Sequence, residues 1–137
     1  MKRSTVVLAV AMAVLVVPAL AQTATIRADV PFAFNVGQQL MAAGEYRVVL
    51  DSNSMRVAPM DGQGVAPGSF SYLTPGPSQE QSPKLIFHRY GKHYFLAEVW
   101  TGDANRGVKL MTSSTEREYA RLAKAETTTV AAVRLSK

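Results

Sequence analysis

The feature that most restricts how this chain can fold is "KLIFHRYGKHYFLAEVW", residues 84–100, where two runs rich in aromatic and β-branched residues are parted by Gly91-Lys92. Each run is long enough for a strand. Glycine at the first central position of a two-residue link is what a tight type II′ hairpin turn requires, because glycine takes positive φ there without a steric cost. Such a turn fixes the register outward from the link, with Tyr90 facing His93 and Arg89 facing Tyr94. One face then carries Leu85, Phe87, Arg89, Tyr94, Leu96, Glu98 and Trp100. The other carries Ile86, His88, Tyr90, His93, Phe95, Ala97 and Val99. Both faces are largely apolar, so the hairpin is expected at the centre of the fold and covered on two sides. A sandwich meets that demand, as does a barrel with one face under a helix.

The flanking sequence supplies further strands. Residues 25–36, "TIRADVPFAFNV", alternate with a period of two, placing Ile26, Ala28, Val30, Phe32 and Phe34 on one face and Arg27, Asp29, Pro31 and Asn35 on the other. Pro31 has no N–H to give a ladder, which predicts an edge position or a bulge. Gly44 is placed for a turn needing positive φ, and Glu45 to Leu50 reads as a second strand with Tyr46 and Val48 on one face, Arg47 and Val49 on the other. "DSNS" (51–54) is a turn of residues that bond their own backbone, and Met55 to Met60 reads as a third strand. Between Pro59 and Pro83 lie five of the seven prolines and four of the nine glycines, marking a surface loop region with a short edge strand at Phe70, Tyr72 and Leu73. It is too short to separate two domains.

One helix is expected, in "SSTEREYARLAKAE" (113–126). It opens on a capping box, Ser113-x-x-Glu116, in which each side chain meets the other's free backbone donor. Thr115, Tyr119, Leu122 and Ala123 form a narrow stripe suited to lying on a sheet, with Arg117, Glu118, Arg121 and Lys124 in water. "TTTVAAVRL" (127–135) closes the chain as a strand. The fold class is therefore mainly β: a small antiparallel sandwich or barrel-like sheet with one helix packed on it.

The first residues point to export. Lys2 and Arg3 precede an unbroken aliphatic run from Val6 to Val17, Pro18 ends it, and Ala19-Leu20-Ala21 offers the small residues of a signal-peptidase site before Gln22. The expectation is a secretory signal peptide over 1–21, cut between Ala21 and Gln22, and a single domain over 22–137 with no stable membrane span of its own. That places the protein in the periplasm or outside the cell. With no cysteine in the chain, thiol nucleophiles, zinc–thiolate sites, disulfide staples and lipoprotein attachment are all excluded. Removing Lys2 and Arg3 lowers the formal charge from +5 to about +3, and the remaining basic residues are never adjacent. A nucleic-acid footprint needs clustering, so nucleic acid is not expected as a partner.

Candidate site residues concentrate in the hairpin. His88 and His93 share a face one cross-strand step apart, a spacing that lets two imidazoles reach one metal. A site needs more ligands and a supporting shell, and that face offers no carboxylate, so both are read as structural and no metal or other cofactor is expected. Arg89 and Glu98 can pair diagonally beside Tyr94 and Trp100, either as a register-fixing ion pair or as part of a small ligand site. His88 and Glu98 are the candidates for acid–base catalysis, with Asp103 as the nearest second group. Tyr72, Tyr90, Tyr94 and Trp100 form a sugar-stacking platform if they share an exposed face; otherwise they are core. "GQGVAP" (62–67) lacks the third glycine and the helix of a dinucleotide fingerprint, and neither a G-x-S-x-G elbow nor an H-E-x-x-H motif occurs.

The segments "ADVPFAFNVGQQLMAAGEYRV", "KLIFHRYGKHYFLAEVW" and "SSTEREYA" together resemble a group of small secreted proteins of soil bacteria. The shared pattern is V-P-F-x-F, an A-G-x-Y turn, F-H-R-Y-G-x-x-Y-F-L-x-x-x-W, then a helix opening S-x-x-E-R-E. His88, Arg89, Tyr90 and Trp100 match it, His93 falls in a variable slot, and Ala42 stands where the group often has proline. The resemblance implies export and a shared fold and brings no activity with it. The expected role is a non-enzymatic accessory protein that binds an envelope protein or polymer, through the 59–83 loop or the hairpin edge. The rival readings are a small secreted hydrolase or metal-dependent enzyme using His88 and Glu98, and a carbohydrate-binding module; the candidate binding residues are Arg89, Tyr90, Tyr94 and Trp100.

Overall fold

The structure, a computed structural model, describes residues 23–62, 65–73, 82–102 and 107–135. The expected signal peptide with its Ala21–Gln22 junction, the middle of the 59–83 loop region and Asp103 lie outside the described residues. Eleven strands and one helix follow in the order β1 (Ala24–Val30), β2 (Phe34–Val36), β3 (Gln39–Met41), β4 (Gly44–Leu50), β5 (Met55–Pro59), β6 (Ala66–Gly68), β7 (Phe70–Leu73), β8 (Lys84–Tyr90), β9 (His93–Trp100), β10 (Gly107–Leu110), α1 (Ser114–Leu122) and β11 (Glu126–Arg134). The chain is mainly β, as the alternation predicts.

The strands wrap into a nearly closed barrel. β11 turns the corner between its two walls: its first part pairs with β8 through Glu126–Ala131, and its end pairs with β1 through Ala132–Arg134. From β11 one wall runs β1, β4, β5, β6, all antiparallel. The other runs β8, β9, β10, β7. β6 and β7 are separated only by Ser69, whose carbonyl accepts from the Met111 N–H at 2.8 Å, so the two walls approach each other again there. The β2–β3 hairpin, turned at Gly37 with φ of 60°, attaches to β9 by a parallel pairing, the one such among the described residues, with Asn35 opposite Phe95.

The interior is filled by side chains from both walls, with Ile26, Val48, Met55, Phe34, Phe87 and Val99 among the fully buried. Phe34 meets Tyr46 and Phe87 edge-on, with ring centroids 5.0 and 5.4 Å apart, the arrangement their quadrupoles favour. Removing the Phe87 ring would leave a void costing about 3–5 kcal/mol.

Several expectations need correction. Residues 25–36 are not one strand: β1 ends at Val30, and Pro31-Phe32-Ala33 carries the chain across the end of the barrel to β2. β1 is an inner strand between β11 and β4, and the proline's missing donor is accommodated by stopping the strand instead of moving it to an edge. Phe32 stacks on Tyr94 with centroids 3.7 Å apart, capping that end of the core. Gly44 has the expected positive φ, 158°, but it opens β4 opposite Val30 instead of lying inside a tight turn. The central hairpin stands, with Gly91 at φ of 63° and the expected pairs from Tyr90–His93 to Phe87–Leu96. Beyond them a bulge intervenes, and Ile86 faces Glu98, with Ala97 as the extra residue. The bulge sends Val99 into the core beside Leu85 and turns Glu98 and Trp100 outward. Strict alternation would have directed the Glu98 carboxylate into the apolar interior, an expensive burial without a partner.

The helix is shorter than the sequence pattern and differently oriented. Ser113 is its N-cap, with its hydroxyl accepting from the Glu116 N–H at 3.1 Å. Only half the capping box forms, because the Glu116 carboxylate turns to His88. Of the expected stripe only Tyr119 meets the barrel: Leu122 is 85 % exposed, Thr115 and Ala123 are also exposed, and Glu116 joins Tyr119 in resting the helix on the sheet. Among the described residues no helix is long and apolar enough to cross a membrane.

Candidate functional site

Two surfaces bring chemically capable side chains together. The first is the outer face of β8 and β9 beneath α1. Period-two alternation sets His88 and Tyr90 outward on β8, and Phe95 joins them from β9. Glu116, only 5 % exposed, reaches His88 Nδ1 at 3.2 Å. The Tyr119 ring lies over the same patch, with centroids 4.3 Å from His93, 5.7 Å from Phe95 and 6.4 Å from Tyr90. Burial, and then the Glu116 carboxylate, pushes the Tyr90 hydroxyl above its usual range. His93 therefore packs on a tyrosine while His88 faces a carboxylate from another element. Among the described residues no group of three or more His, Asp or Glu side chains converges as a metal site would require.

The hairpin candidates fall on different sides. Arg89 does not pair with Glu98; its partner is Glu126, directly opposite on β11, and Tyr94 followed by Glu126 holds the guanidinium in its charged form. Glu98 does come to the His88 face through the bulge, but opposite Ile86 and Lys109. Tyr90 and Trp100 are buried on the outer face, whereas Tyr94 packs against the core and Phe32, so these three rings share no open platform. The Tyr72 side chain lies outside the described residues. The Trp100 ring lies against the Gly107 backbone, and its indole N–H is buried without a partner among the described residues.

The second surface is the outward face of β1, β4 and β5. Here the alternation that buries Ile26, Tyr46, Val48 and Val57 sends Arg27, Arg47 and Arg56 outward. Register then assembles them: Arg27 stands directly opposite Arg47, and Arg56 lies diagonally beyond, opposite Val49. Thr25, Arg47, Val49, Arg56, Ala58, Val65 and Leu135 line a depression of about 430 Å³. Arg27 is paired with Glu45, and Arg56 lies 3.7 Å from Asp51. Asp51 accepts from Thr23 at 2.7 Å and from Ser54 at 3.0 Å; these bonds, that of Thr23 foremost, hold its carboxyl below the usual range. Arg47 is exposed and has no ion pair or hydrogen bond among the described residues. No family model, no curated protein and no solved structure matches this chain.

The arginine face was not singled out from the sequence. Each strand alone shows an outward arginine, which is ordinary. What makes them a group is the pairing of β1 with β4 and of β4 with β5 in one particular register. The signal available was the recurrence of arginine at outward positions of three successive strands.

Proposed function

We propose that this is an exported, non-enzymatic accessory protein of the cell envelope or its surroundings, and that it works by binding a partner on the outer face of β1, β4 and β5. Export rests on the N-terminal sequence. Binding rests on one observation: Arg47, an exposed guanidinium without a partner among the described residues, lines a depression together with Val49, Ala58, Val65 and Leu135. Guanidinium groups at such places engage planar anions through two parallel hydrogen bonds. The hairpin residues carry the fold: His88 fastens the helix, Arg89 fastens β11, and Tyr90 and Trp100 are packed.

The test is site-specific crosslinking in the producing cell. A photoreactive residue at Val65, on the rim of the depression, is expected to give a discrete adduct, whereas one at Lys124 beyond the helix is not. Equal or absent adducts at the two positions would contradict the proposal.

A further inference from the structure

On the reading that the β1–β4–β5 face binds a partner, we infer that its occupant is an acidic protein segment, presenting an aspartate or glutamate beside aliphatic side chains. Three features choose that chemistry. The first is charge. Arg27 and Arg47 face each other across the β1–β4 ladder, an arrangement of like charges that weakens a sheet. Glu45 offsets Arg27 and Asp51 leans on Arg56, which leaves one guanidinium over for one external anionic group. A carboxylate matches a single guanidinium fork with both of its oxygens.

The second feature is the floor. Val49, Ala58, Val65 and Leu135 are aliphatic, and Val133, which faces Arg27 from β11, is 66 % exposed. Among the described residues no aromatic ring lines the depression, so it offers a sugar no ring face to stack on. Aliphatic floor and arginine together suit a peptide carrying valine- or leucine-like side chains next to its acid. The third feature is shape. The surface is a depression of about 430 Å³, room for several neighbouring side chains of a peptide. A lipid surface is met by protruding apolar groups that insert among the headgroups.

The experiment titrates the mature domain into three fluorescein-labelled alternating peptides, Val-Glu, Val-Gln and Ser-Glu, and follows anisotropy. Alginate and phosphatidylglycerol vesicles enter as competitors. The Val-Glu peptide is expected to bind most tightly, the Val-Gln peptide not at all, and the Ser-Glu peptide in between. Arg47→Gln should weaken Val-Glu binding by about tenfold or more, and Arg47→Lys by less, since it keeps the charge without the fork. Arg121→Gln, on the exposed side of α1, should change nothing. Equal binding of the Val-Gln peptide, indifference to Arg47→Gln, or preferential capture by alginate or vesicles would overturn the inference. A Val65 adduct that proves to be polymer or lipid would overturn it too while leaving the binding role standing; no adduct at all removes both.

Discussion

Nδ1 of His88, on the outer face of β8, lies 3.2 Å from Oε1 of Glu116 on α1, and this contact joins the helix to the barrel. Glu116 is the one helix residue that is buried, and its backbone N–H is simultaneously held by the Ser113 hydroxyl. The helix start and the helix attachment thus meet in one residue. Glu116→Gln keeps the shape but removes the charge from a buried hydrogen bond, a change worth about 1–3 kcal/mol. Hydrogen exchange should show faster opening of Ser114–Leu122, with β8 and β11 nearly unaffected. Uniform loss of protection across the barrel would mean that the helix is part of its cooperative core.

Ser113→Ala separates the cap from the attachment. It removes the acceptor for the Glu116 N–H and leaves the His88 contact in place. The expected loss is about 1 kcal/mol, and Ser113→Asp should restore most of it. Thermal melts of the three proteins decide the matter. A much larger loss would show that cap and His88 contact depend on each other.

Stability should fall at both ends of the pH scale, for different groups. The folded-state pKa of Asp51 is lowered by its bonds from Thr23 and Ser54. The stability it contributes is therefore full above the unfolded carboxylate range, near pH 4, and is lost as pH falls through the folded value. Asp51→Asn should lower the melting temperature at neutral pH and converge with the wild type in acid. At the alkaline end, Tyr46 and Tyr90 have raised pKa values, burial being the first cause in both, with Asp61 and Glu116 adding to it. Their contribution is intact below about pH 10 and lost as pH rises through the folded values. Tyr90→Phe should flatten the alkaline limb of the melting curve. A limb as steep as that of the wild type would assign the alkaline loss elsewhere.

The elements that local chemistry dictates were legible in the sequence: the Gly91 hairpin, the 51–54 turn with its Asp51–Ser54 bonds, the Ser113 cap, and the buried face of β4. What escaped depends on partners distant in the chain. Pro31 marked an irregularity, but whether the strand would bulge or stop depended on where β2 could pair, and β9 lies about sixty residues away. The Ala97 bulge answers a demand of the core, which excludes Glu98 and takes Val99. Of the Leu122 stripe only Tyr119 meets the barrel, because the His88 contact draws Glu116 inward and leaves the rest of that face outward. The arginine face was hidden for the same reason, since it exists only in the register of three paired strands.

Two glycines should fail for opposite reasons, and the contrast tests the barrel's geometry. At Gly91 the φ of 63° belongs to the left-handed region, but a Cβ there would have nothing within 4 Å. Gly91→Ala should therefore cost only the backbone term, about 1–2 kcal/mol, and Gly91→Asn less, since asparagine tolerates that region. At Gly107 no positive φ is involved, yet a Cβ would sit 2.5 Å from the Trp100 ring. Trp100 is 7 % exposed, and Gly107 faces it across the β9–β10 pairing. Gly107→Ala should cost about 1–3 kcal/mol or more and should shift the emission of the only tryptophan, because the ring must move. Gly91→Ala should leave that emission unchanged. An unaltered tryptophan spectrum in Gly107→Ala would show that the ring does not lie against β10 as the structure places it.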